Sequence, residues 1–378
     1  MTCKHRIVSS LFLLGITGAI CLPAAESGGS VAQSIRAVID EYENNVRANT
    51  RKIIDAKTEA EKDKYRATVP TVAPYATKVL KIVHEHPGDA DTARGVSWLV
   101  TQASGFPEGQ EALKMLGTSH TASAGIAEAV KALEYHPLAT AEPILLAVRE
   151  KNPNANEKAA ATYALGVQYF RMYESASALQ AECCGNGPVA VAPPTGLPKQ
   201  AEEAKAKAMD YFQEVVANYP GAAIQGFPLG DQASRMMFEM TNLAVGSQVP
   251  DIEGKDLDGN AFKLSDYRGK HVVLMFWGGW CHACHGVLPL MNQLTTDMKD
   301  KPVAVLGINT DIPEEARQAF QQYHVNFRNW SDGTTGGPIT TLFNLRNFPT
   351  IYLIDPKGII VLKNTSIDAV REKLKSVK

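Results

Sequence analysis

From about residue 28 to residue 244 the apolar positions recur at three- and four-residue steps, which predicts an all-α region. Val31, Ile35, Val38, Ile39, Tyr42, Val46, Ile53 and Ile54 follow this rhythm with charges between them, and predict one long amphipathic helix. Further helical segments are expected near 75–85, 90–103, 108–117, 122–134, 139–150, 156–174 and 201–218. Several end at a proline followed by small or polar residues, as in His86-Pro87-Gly88-Asp89, Asn152-Pro153-Asn154 and Tyr219-Pro220-Gly221. A proline starts a helix but breaks its interior, so these read as stops between packed helices. No strict repeat emerges. The segments Ala160–Tyr173 and Ala201–Pro220 loosely resemble a tetratricopeptide hairpin, and the region reads as a TPR-like or helical-hairpin domain that spaces, packs or offers a surface to a protein partner.

At Val245 the rhythm changes. Asp256-Leu257-Asp258-Gly259-Asn260 is a hairpin-type turn, and His271–Trp277 is a short unbroken apolar run, suited to a strand buried on both faces. A helix over 283–299 follows, then a second buried strand at Val303–Ile308 and a helix over Pro313–His324. Ile351–Ile354 and Ile359–Leu362 flank Asp355-Pro356-Lys357-Gly358 as a hairpin, and residues 367–376 close as a helix. This order predicts a small layered α/β domain over 245–378, so the fold class is α plus α/β.

Hydrophobic residues make up 45% of the 378, ample for folded cores. The formal net charge of −2 offers no basic excess to neutralise phosphates, which argues against a nucleic-acid partner. Lys4, His5 and Arg6 precede a mostly apolar run from Ile7 to Cys21 and then Leu22-Pro23-Ala24-Ala25. A run of about 15 residues suits a signal peptide over 1–24 and is short for a membrane span, although an uncleaved anchor has the same look. The expected location is therefore periplasmic or otherwise extracytoplasmic. Outside the leader four cysteines remain, the adjacent pair Cys183-Cys184 and the spaced pair Cys281/Cys284. Cys183-Cys184 lies in a Gly/Pro/Asn-rich loop, open to a vicinal disulfide, a soft metal, a role as internal substrate, or no role.

Trp280-Cys281-His282-Ala283-Cys284 falls where a buried strand meets a helix. A cysteine there sees the positive end of the helix dipole and free backbone N–H groups, which favour thiolate. Cys281 is the expected nucleophile, and Cys284, one turn later on the same face, the expected resolving thiol. A structural zinc would need a second Cys/His pair, and none of suitable spacing follows, so no metal and no prosthetic group is expected. His285 completes C-x-x-C-H, the haem attachment pattern, but its place after the strand ending Phe276-Trp277 argues against that reading.

Residues 246–378 resemble the exported TlpA-type thioredoxin-like reductases of the redoxin superfamily. The matching pieces are Val249-Pro250-Asp251, Asp258-Gly259, Leu264 to Lys270, Phe276-Trp277, Trp280 to Cys284, Pro289 and Phe348-Pro349-Thr350. The resemblance implies a thioredoxin fold, a protein thiol or disulfide as substrate, and a redox partner protein. It also implies that Pro349 is cis and faces the cysteines, exposing the preceding backbone to an extended substrate. Three positions depart from the pattern. Thioredoxins have an acid where Met275 stands, many TlpA-type reductases have one where Val287 stands, and the pair between the cysteines is His282-Ala283 with no proline. His282 or His285 is the nearest substitute in sequence for charge support or a proton route. Two other readings stay in view: a helical scaffold merely gated by the redoxin part, and a thiol peroxidase. The latter is disfavoured because Gly278 and Leu274 stand where peroxiredoxins need threonine and proline.

Overall fold

The computed structural model describes residues 31–183, 199–364 and 366–377, with backbone alone over 176–183. The leader over 1–24 and the pair Cys183-Cys184, apart from the backbone of Cys183, lie outside the described residues.

The first part is helical: α1 (Val31–Asp55), α2 (Glu59–Arg66), α3 (Ala73–Glu85), α4 (Thr92–Gln102), α5 (Pro107–Ser119), α6 (Ala127–Ala132), α7 (Leu138–Lys151), α8 (Ala155–Cys183) and α9 (Lys199–Asn218). A short hairpin of β1 (Ala223–Ile224) and β2 (Phe227–Pro228) then leads into α10 (Leu229–Asn242). Local chemistry sets several of these boundaries. Thr58 accepts the Glu61 N–H while the Glu61 carboxylate accepts the Thr58 N–H, a capping box that starts α2. Pro107 opens α5 at a position where its missing N–H costs nothing. α8 is the central helix: from Ala159 to Phe170 every residue is buried, so it shows no amphipathic stripe. α6 is shorter than the 122–134 expected and continues as a 3-10 turn at Leu133–Tyr135. α10 has no counterpart in the sequence segments. Its inward face carries Leu229, Ala233, Met236 and Met240, and also Glu239, which is 3% exposed. One apolar core runs through this part from Val31 to Met240.

The second part opens with the hairpin β3 (Glu253–Lys255) and β4 (Ala261–Lys263), closed at Gly259 with a φ of +86°. Then come β5 (His271–Trp277), α11 (His282–Asp297), β6 (Val303–Asn309), α12 (Pro313–Gln322), β7 (Arg328–Ser331), α13 (Pro338–Leu342), β8 (Thr350–Ile354), β9 (Ile360–Lys363) and α14 (Ile367–Leu374). The main sheet has the order β7-β6-β5-β8-β9, with β5 parallel to β6 and antiparallel to β8. One core packs Leu274, Phe276, Trp330 and Tyr352 on one face, and a second packs Val273, Met275, Trp277 and Leu288 on the other. This is a thioredoxin fold, and β5 is buried on both faces as its unbroken apolar run predicts. The strand β7 and the short helix α13 are additions to the sequence reading.

Burial pushes the pKa of His120, His136 and His271 down, and the Nδ1 atom of His271 is buried with no hydrogen-bond partner among the described residues. A histidine held neutral in the fold but free to protonate when unfolded contributes stability that is fully present above about pH 6.5. That contribution is lost as pH falls through the unfolded value toward the lower folded one. The urea midpoint is therefore expected to drop between about pH 7.5 and about pH 5.5, and to drop less in a His120→Gln/His271→Gln double variant. An equal drop in both proteins would refute this assignment.

Candidate active site

In the register of β5 and β6, Trp277 lies beside Asn309. The chain segments that leave these parallel strands therefore emerge together: Gly278-Gly279-Trp280-Cys281 from one and Thr310-Asp311 from the other. This juxtaposition builds the site. The Gly279 N–H donates to Asp311 Oδ2 at 2.7 Å, and the Trp280 indole N–H donates to Thr310 Oγ1 at 3.3 Å. Asp311 is itself buried, and its Oδ2 accepts a second bond from Asn309 Nδ2 at 2.7 Å. The Trp280 indole folds back over Gly278, where a side chain would force the half-exposed ring to move.

Cys281 is the N-cap of α11, and its sulfur accepts the Cys284 N–H at 3.2 Å. Cys281 and Cys284 are joined in a disulfide, with Cα atoms 5.2 Å apart. Cys281 is 5% exposed and Cys284 is fully buried, so the first sulfur is the one nearer solvent. Beside them Trp280 is 54% exposed, and its ring meets Phe348 edge-on with centroids 5.2 Å apart. The Phe348–Pro349 peptide bond is cis. Phe348 also packs against the core that contains both cysteines. Thr350 is buried at the start of β8 and donates its hydroxyl to Asn347 O at 2.7 Å, which closes the turn before the proline.

The two histidines are placed differently. His282 is exposed on the first turn of α11, its ring edge-on to His285 at 5.6 Å. His285 is half-buried, stacks on Tyr323 at 4.6 Å, and lies with Nε2 at 2.8 Å from Gly279 O. A carbonyl only accepts, so His285 Nε2 carries a hydrogen and donates it. That nitrogen braces the loop ahead of Cys281. Met275 is fully buried and Val287 half-buried in the same core as the cysteines, so both customary acid positions serve packing. The carboxylate that sequence reading missed is Asp311. Its one signal is the polar triplet Asn309-Thr310-Asp311 at the end of an apolar strand run, in register with the strand that delivers the cysteines.

The AhpC/TSA family matches residues 245–363. The thiol-disulfide oxidoreductase ResA of Geobacillus kaustophilus is 34% identical over 144 residues, which cover 37% of this chain and 82% of that protein. The chain belongs to the thioredoxin-like thiol-disulfide oxidoreductases. The thioredoxin-like protein YneN of Bacillus subtilis is 34% identical over 119 residues, covering 30% of this chain and 68% of its own length. Among solved structures, the thioredoxin domain of a thiol-disulfide oxidoreductase from Bacteroides vulgatus aligns over its whole length and 35% of this chain, at 28% identity and a TM-score of 0.33. For an oxidoreductase of this family, the Cys281–Cys284 bridge at the start of α11 is the candidate centre.

Proposed function

We propose that this chain is an exported enzyme that exchanges disulfides with protein thiols through Cys281 and Cys284. The observation that carries the reading is the position of Cys281 as N-cap of a sixteen-residue helix, its sulfur already accepting a helix N–H. Once the bridge is reduced, the same N–H and the helix dipole stabilise a thiolate there. The thiolate attacks one sulfur of a substrate disulfide. A bond forms between Cys281 and that sulfur, the substrate S–S bond breaks, and the other substrate sulfur leaves as a thiolate. Cys284 then gives up its proton and attacks Cys281. This re-forms the internal bridge and releases the second substrate thiol. Two electrons pass to the substrate, and a dithiol partner protein restores the reduced pair by the reverse exchange.

The exposed ring of Trp280, the neighbouring Phe348 and the backbone before Pro349 offer an edge for an extended peptide. His285 and Asp311 brace the loop between them, and His282 stands exposed on the first turn of α11. Export is supported by the positive start and apolar run of residues 1–21. Among the described residues no helix is long and apolar enough to cross a membrane.

One preparation tests both parts. The chain expressed with its own leader is recovered from the extracytoplasmic fraction, its first residue is read, and it is assayed for reduction of insulin with dithiothreitol as electron donor. A start near residue 25 and turnover well above the dithiothreitol background are expected. Recovery solely in the cytoplasm would overturn the export reading, and absence of turnover under reducing and oxidising conditions alike would overturn the enzymatic one.

A further inference from the structure

The helical part meets the thioredoxin fold at the turn that delivers Phe348 and Pro349. Glu239 of α10 is buried and receives three donors from the other part of the chain. Asn344 Nδ2 donates at 2.7 Å, Arg346 Nη2 at 3.0 Å, and Lys363 Nζ at 2.7 Å. Glu174 of α8 completes the cluster, 3.4 Å from Lys363 Nζ and 3.9 Å from Arg346 Nη2. Two carboxylates thus face two cations, and the Arg346 guanidinium also lies over the Phe170 ring of α8 at 5.0 Å. The field of the carboxylates extends to Tyr352 on β8, where burial and then Glu239 and Glu174 raise the phenol's pKa.

The positions of these partners along the chain are what matters. Asn344 and Arg346 lie on the five-residue link between Phe343, anchored in the core against Phe276, and Pro349. Asn344 has a φ of +47°, a left-handed conformation in which its side chain turns back to Glu239. Two residues beyond Arg346, Phe348 meets Trp280, which adjoins Cys281. A continuous set of contacts therefore runs from α10 through the link to the edge of the cysteine site.

We propose that Glu239 is a positioning residue for disulfide exchange: through Asn344 and Arg346 it ties the link ahead of Pro349 to the helical part, which thereby fixes the substrate-contacting edge. The inference rests on the functional reading above. A buried carboxylate that answers three donors holds its geometry tightly, and removing it leaves Arg346 and Lys363 with one carboxylate between them. Displacement of a binding edge by an ångström is enough to weaken productive binding strongly while the thiol chemistry stays intact.

The test uses the full chain and two variants. Glu239→Gln removes the charge with little change of shape. Asn344→Gly keeps the left-handed backbone and deletes the amide, and so reports on the link even if the first variant folds poorly. Hydrogen exchange of the backbone over residues 343–350 is expected to speed up about tenfold or more in each, with protection of β5 and β6 retained. The KM for insulin is expected to rise about tenfold, while the reaction of the reduced pair with oxidised glutathione stays within about twofold. Unchanged protection of 343–350 would overturn the proposal whatever the activity. A loosened link with an unchanged KM would overturn it too, by reducing the network to a stabilising contact. A wild-type chain inert toward both insulin and oxidised glutathione would instead overturn the functional reading, and this inference with it, before any variant is compared.

Discussion

Cys281→Ser is expected to reduce insulin turnover to background, and Cys284→Ser to lose turnover while accumulating a covalent complex with the substrate. The two sulfurs are chemically alike but differently placed. Cys281 caps α11 beside exposed Trp280 and retains 5% exposure, whereas Cys284 is fully buried one turn further in. With Cys281 replaced, the remaining thiol lies beneath the surface and off the helix terminus, so it neither reaches a protein disulfide nor shares the thiolate stabilisation at the cap. With Cys284 replaced, attack proceeds and stops at the mixed disulfide, because the thiol that would displace the substrate from Cys281 is gone. Loss of the bridge does not confound the result. It spans three residues in sequence, so the loop it closes is short and its chain-entropy contribution is about 2 kcal/mol. Both variants should remain folded by circular dichroism. Non-reducing electrophoresis with insulin reads out the trapped complex, which dithiothreitol should dissolve. Trapping by Cys281→Ser in place of Cys284→Ser would reverse the assigned roles, and turnover by Cys281→Ser above about a tenth of wild type would remove Cys281 from the chemistry.

That centre was legible in the sequence because its determinants are local. Two cysteines three apart after an apolar run place themselves at a strand-to-helix junction. The strands read at His271–Trp277 and Val303–Ile308 were legible for a related reason: burial on both faces leaves a largely apolar run, and the second extends one residue further, to Asn309. β7 was not, because Arg328-Asn329-Trp330-Ser331 reads as polar. Its Asn329 is buried to serve the Trp277 indole, and that pairing lies 52 residues away in the chain. Asp311 was hidden in the same way, since its partner Gly279 is 32 residues upstream. His285 was legible as a candidate but not in its role. The bond to Gly279 O and the stacking on Tyr323 depend on the turn of the loop and on α12, neither of which spacing reveals.

The helical part shows a sharper version of this limit. The rhythm of α1 was plain from its apolar stripe and a helix over 156–174 was expected where α8 lies, whereas α10 carries a carboxylate where an apolar residue completes the pattern. Glu239 on an amphipathic helix reads as solvated charge. Its partners Asn344, Arg346 and Lys363 follow 105, 107 and 124 residues later, so only the tertiary fold shows that the charge is compensated. A polar residue that breaks the inward face of a helix is a local inconsistency, and such inconsistencies concentrate at functional or strained sites.

The largest stability loss is expected from Gly307→Ala. Gly307 lies in the middle of β6, between Met275 on β5 and Asn329 on β7. A methyl group there would overlap Asn329 Oδ1, sit 2.8 Å from Asn329 Cγ and meet the Phe327 ring at 3.0 Å. Asn329 has no room to yield without loss. It is 3% exposed, accepts the Trp277 indole N–H at 2.7 Å and donates to Phe327 O at 2.8 Å. Moving it strands a buried indole N–H, an unsatisfied donor worth about 1–3 kcal/mol, in addition to about 1–3 kcal/mol for overpacking. The combined loss is roughly 2–6 kcal/mol, read as a shift of the urea midpoint at constant slope. Asn329→Ala strands the same indole and removes the obstacle. Gly307→Ala on that background should therefore cost less than about 1 kcal/mol, a strong departure from additivity. Additive losses would show that Asn329 is not what the methyl group displaces, and a Gly307→Ala protein within about 0.5 kcal/mol of wild type would show that the strand opens to admit it. Because Trp277 ends the strand that delivers Cys281, the same variant should also slow insulin reduction under conditions where the chain stays folded.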